Sequence, residues 1–136
     1  MMGRDARHST CVACIHAIVA FGVFAQPAGP RPFARSLDCP TGECALLEGV
    51  PQTAGMRSGF VRLQPGASVG WHTTGQHEEE LVVLRGEGSA VIEGQAAQPL
   101  VAPAIAYVPP NTRHNVRNTG KEPLEYVYVV APAMTK

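Results

Sequence analysis

From Leu46 onward, short runs of Val, Ile, Leu and Tyr recur between Gly and Pro at intervals of about 8–12 residues. Spacing this tight favours a sandwich or barrel over strand–helix–strand units. The pattern predicts strands over 59–63, 68–72, 79–84, 89–92, 100–101, 105–108, 115–118 and 124–130. In the last of these, Leu124, Tyr126, Tyr128 and Val130 alternate with Glu125, Val127 and Val129, so both faces are largely apolar. A strand of that kind belongs inside a two-layered structure. After residue 26 there is no helical period and no repeat of solenoid length. The expected fold class is all-β, in one domain.

Two stretches carry the chemistry. The first runs from Gly66 to Gly88, with a turn at Pro65-Gly66, His72 near the end of a short strand, and a second turn at Thr74-Gly75-Gln76. Glu78-Glu79-Glu80 then lead into an apolar run. Side chains alternate along a strand, so two adjacent strands can aim His72 and one glutamate at the same point. Such geometry suits a metal or a polar ligand. The second stretch is Tyr107 to Asn118, where Pro109-Pro110-Asn111 makes a turn and His114 opens a strand. Asn111 is one of the few non-glycine residues that tolerates a left-handed backbone.

Together these stretches resemble the two motifs of the cupin family, small β-barrels of jelly-roll type. The first family motif reads Gly, five residues, His, one residue, His, three or four residues, Glu, six residues, Gly; Gly66, His72, Glu79 and Gly86 fall on it. The second places Pro109, His114 and Asn118 on its Pro, His and Asn. The resemblance covers roughly residues 51–131 and implies a single-domain jelly-roll barrel. It departs at Thr74, which stands where the family has its second histidine, and at Pro103 and Asn111, which replace turn glycines.

By that resemblance the metal ligands are His72, Glu79 and His114. Two imidazoles and a carboxylate with open positions suit Fe(II) or Mn(II), and Zn(II) or Ni(II) less selectively. The resemblance thus implies a divalent metal ion and a small-molecule ligand or substrate, and it assigns no catalytic residue beyond the ligand set. His77, in the turn, is an alternative ligand in place of the missing histidine. A metal-free pocket, with His72 and His114 hydrogen-bonded to each other, to Glu79 or to Thr74, is the competing arrangement. Two functions follow: a metal-dependent oxygenase or isomerase, or a non-catalytic protein that captures a small carboxylate or sugar. Arg57, Arg62, Arg113, Arg117, Tyr107, Tyr126 and Tyr128 are candidates for reading an anionic or aromatic ligand, and Glu78 and Glu80 point away from Glu79.

The N-terminal region has a different texture. Arg4 and Arg7 precede an apolar run from Cys11 to Ala25 that ends Val23-Phe24-Ala25. This is the layout of a cleaved secretory signal over 1–25, and its apolar run is shorter than the ~20 residues that span a bilayer. A secreted or periplasmic protein with no stable membrane span is expected. Cleavage leaves His72, His77 and His114 as the histidines and Cys39 and Cys44 as the cysteines. Residues 26–50 read as an extended arm, three prolines long at its start, in which a turn at Pro40 and Gly42 brings Cys39 and Cys44 within bridging reach. The barrel domain is expected over 51–134. Lys+Arg and Asp+Glu are both 11, so no basic stripe suggests nucleic acid. Homodimers are common among proteins resembling this family, and the apolar faces of 124–130 allow one.

Overall fold

A computed structural model describes residues 29–134, and the leader expected over 1–25 lies outside them. Eight strands form: β1 (Glu43–Glu48), β2 (Arg57–Leu63), β3 (His77–Arg85), β4 (Glu87–Ile92), β5 (Gln98–Val101), β6 (Ala104–Val108), β7 (His114–Asn118) and β8 (Leu124–Pro132). Among the described residues there is no helix, and so none long and apolar enough to cross a membrane. The strands make a five-stranded sheet in the order β1-β2-β8-β3-β6 and a three-stranded sheet in the order β5-β4-β7. Every pairing is antiparallel.

Alternation sorts each strand into an inner and an outer face. Val61 and Leu63 of β2, Leu81 and Val83 of β3, and Leu124 and Tyr126 of β8 meet Ala90, Leu100 and Val116 of the small sheet in one core. Leu81, Leu100 and Leu124 are fully buried, each worth about 1.5–3 kcal/mol in surface removed from water. The opposite face of the large sheet is covered separately: Cys39 and Leu46 pack on Phe60, with Cys44 and Val127 at the margin. Cys39 and Cys44 are disulfide-bonded, with Cα atoms 5.8 Å apart. Strand β1 lies within the stretch read as an arm. Its bulge at Ala45/Leu47 interrupts the alternation, which hides it from a period-two reading.

The expected strand over 68–72 does not form as a continuous ladder. Its backbone ladder with β7 is reduced to two isolated bridges, Ser68 with Arg117 and His72 with His114. Gly70 lies between them at φ +92°, a conformation that breaks an extended run and that L side chains rarely adopt. The stretch is therefore an irregular margin of the small sheet. The turn that follows carries the chain across to β3 in the large sheet, so His72 and Glu79 face each other across the barrel and do not stand on adjacent strands.

Candidate metal centre

His72 and His114 sit directly opposite each other. Their main chains exchange both hydrogen bonds, His72 N–H to His114 O at 3.0 Å and His114 N–H to His72 O at 2.9 Å. Paired residues share a face, and the ring centroids are 4.2 Å apart at 58°. Each ring is held by its own backbone: Nδ1 of His72 is 3.0 Å from Gly70 O, and Nδ1 of His114 is 3.0 Å from Thr112 O. A carbonyl only accepts, so Nδ1 carries the proton and Nε2 is left with the lone pair in the neutral ring. This is the second-sphere arrangement that orients a ligating imidazole.

Glu79 comes from β3 on the opposite sheet, 5% exposed, and meets His114, which is 0% exposed. Glu79 Oε2 and His114 Nε2 are 3.2 Å apart. They lack the alignment a hydrogen bond needs, and neither atom has a hydrogen-bond partner. Buried polar atoms without partners are rare and costly, and a cation shared between them would satisfy both. Ligand atoms of His72, Glu79 and His114 all lie within 4.8 Å of one another. Their chemistry and convergence fit a divalent metal ion. Without one, burial pulls the His114 imidazole down, but contact with Glu79 and the Thr112 carbonyl outweigh it, and its pKa stands above the ordinary value.

Thr74 gives nothing to this group, because its hydroxyl donates to His77 O at 2.9 Å and closes the turn. His77 opens β3 opposite Pro132 and stands outside the converging set. The structure divides the other candidates. Arg57, Tyr126 and Tyr128 line a cavity of about 440 Å³ that reaches His72 and Glu79. Arg62 pairs with Glu125 at 2.7 Å. Arg113 pairs with Glu93 at 2.6 Å and lies over the Trp71 ring. Arg117 is exposed, and Tyr107 donates to Glu78 on the outer face, while Glu80 is exposed.

Two asparagines shape the site without touching the converging atoms. Asn115 Oδ1 accepts from Gly70 N–H at 2.9 Å and so fixes the segment that presents His72. Asn118 Nδ2 donates to Leu63 O and Glu122 O, both at 2.8 Å, and its Oδ1 accepts from Gly120 N–H. Only the motif position of Asn118 signalled it in the sequence, and nothing there signalled Asn115.

Fold and site together define a small two-sheet β-barrel with a converging His–Glu–His group at one end. A family profile described as Cupin domain matches residues 59–130, and the chain belongs to the cupin family. No curated relative matches it in sequence. Among solved structures, it is similar to a predicted oxalate decarboxylase from Thermotoga maritima, at 28% identity and TM-score 0.53 over 57% of this chain. The match spans 66% of that Thermotoga chain. A Cupin 2 conserved barrel domain protein from Salinispora arenicola is 26% identical at TM-score 0.56, covering 79% of this chain and 92% of the other. A Bacillus halodurans protein shares the fold at 23% identity and TM-score 0.66, over 79% of this chain and 86% of its own.

Proposed function

We propose that this cupin holds a divalent metal ion at His72, Glu79 and His114 and acts through it on a small organic molecule, as an oxygenase or isomerase. The observation that carries this reading is the pair of buried atoms Glu79 Oε2 and His114 Nε2, 3.2 Å apart with no hydrogen bond to either, converging with His72. When bound, Fe(II) or Mn(II) supplies a Lewis acid for substrate oxygen atoms. The protein's share is orientation and enclosure. Gly70 and Thr112 hold the imidazoles by Nδ1, Glu79 offers its carboxylate from the facing sheet, and Val69, Val116 and Val130 wall the cavity. The Thermotoga protein's description as a predicted oxalate decarboxylase supports an organic acid as the class of molecule handled.

A second reading, a non-catalytic binding cupin, is favoured by Thr74: with its hydroxyl tied to His77 O, nothing replaces the family's second histidine. Elemental analysis of the purified protein beside His114→Ala tests both. About one equivalent of metal in the wild type, lost in the variant, supports the metal reading. A protein that stays empty after anaerobic reconstitution with Fe(II) or Mn(II) refutes it. Export to the periplasm or outside the cell is also proposed. It is supported by the layout of residues 1–25 and by a disulfide suited to an oxidising compartment. Expression in a bacterial host, with periplasmic and cytoplasmic fractions assayed separately, tests it.

A further inference from the structure

The cavity continues beyond the three ligand-type residues to a cation. Arg57 of β2 pairs with Val130 of β8, and Val130 pairs with Glu79 of β3. Arg57 and Glu79 thus occupy one row of the sheet, two strand spacings apart, or about 9.6 Å between Cα atoms. Both line the same cavity, with the small side chain of Val130 between them. Arg57 forms no ion pair among the described residues, although Glu43 also lines the cavity. Glu43 pairs with Val61, two rows farther along the inner face, and makes no ion pair with Arg57.

The next row holds Gly59, Tyr128 and Leu81. A Cβ at Gly59 would lie 2.5 Å from the Tyr128 hydroxyl oxygen, so the phenol rests directly on bare backbone. This close approach positions the hydroxyl in the cavity, one row from Arg57. Burial first, then Glu43 and Glu79, hold the phenol above its ordinary pKa against the opposing effect of Arg57, so it remains a donor. A guanidinium and a phenol hydroxyl one row apart make a donor pair matched to a carboxylate.

We propose that Arg57, assisted by Tyr128, binds the distal carboxylate of a small dicarboxylic acid whose other end occupies the metal. This rests on the metal reading above for the second end only. The cavity then selects diacids over monoacids of the same length, because a diacid leaves neither the metal nor Arg57 without a partner.

Isothermal titration of Mn(II)-loaded protein with malate and with 2-hydroxybutyrate tests the inference. The two probes share a chelating head and differ in the distal carboxylate. Wild type is expected to bind malate at least tenfold more tightly, about 1.4 kcal/mol, and Arg57→Gln to erase that preference while still binding 2-hydroxybutyrate. Equal affinity for both acids in wild type, or an intact preference in Arg57→Gln, overturns the inference. Titration with Mn(II) alone reads the metal site separately. If Mn(II) does not bind, the comparison on metal-free protein still decides: an Arg57-dependent preference for malate upholds the role of Arg57, and no preference ends it.

Discussion

His72 and His114 are bonded to each other through both main-chain hydrogen bonds, yet one side chain is exposed and the other wholly buried. Removing them should separate ligation from stability. His72→Ala is expected to weaken Mn(II) binding by on the order of 100-fold while changing unfolding free energy by only about 0.5 kcal/mol. His114→Ala should weaken metal binding at least as much and cost about 2–4 kcal/mol, because it empties a buried position beside Glu79. Metal titration and urea denaturation of each variant read the two effects independently.

The pH dependence of metal-free and metal-loaded protein should run in opposite directions. His114 has a raised pKa in the folded, metal-free state. Its protonation therefore stabilises the fold fully below the unfolded value, and that contribution is lost as pH rises through the folded one. A metal needs the deprotonated imidazole, so its affinity climbs across the same window. Melting temperature of metal-free protein and Mn(II) affinity, each followed from pH about 6 to about 8, should diverge. Parallel trends would contradict the assignment of His114.

Asn118→Ala should be among the most destabilising single changes outside the apolar core. Its side chain serves Leu63 O, Glu122 O and Gly120 N–H and is 3% exposed. Removing it leaves buried groups unpaired, at about 3 kcal/mol in total, measurable as a lower urea midpoint.

Gly59→Ala should displace Tyr128 without unfolding the barrel. The added methyl collides with the phenol ring, and overpacking of this kind costs about 1–3 kcal/mol. The same variant should blunt discrimination between malate and 2-hydroxybutyrate, whereas a mere loss of stability would leave that ratio unchanged.

Replacing Cys39 and Cys44 together by Ser should cost about 2 kcal/mol, since the loop closed is short. The loss should be matched by a reducing agent added to wild type. Identical melting curves with and without reductant would show that the bridge contributes nothing.

The spacing of Gly66, His72, Glu79 and Gly86 and of Pro109, His114 and Asn118 was legible because motif geometry is local. Asn111 adopts φ +58° as its residue type suggested. What the sequence could not show was long-range. Strand order places Glu79 and His72 on facing sheets, and no local pattern reports which strands become neighbours. The break at Gly70 depends on an asparagine 45 residues away. The competition for Thr74 is also invisible in sequence, because its hydroxyl is engaged by a carbonyl whose position only the folded turn determines. Likewise seven Arg and Tyr candidates were equivalent until register put Tyr126, Tyr128 and the exposed Arg57 on the cavity wall and the other four elsewhere.

Because His72 and His114 belong to the margin of the small sheet and Glu79 to the large one, an ion held by all three acts as a rivet between the two layers. Its effect should reach past the cavity. Amide exchange at the barrel mouth, on β3 and β7 alike, would slow on loading, and the two layers would report a shared opening event where the empty protein shows two separate ones.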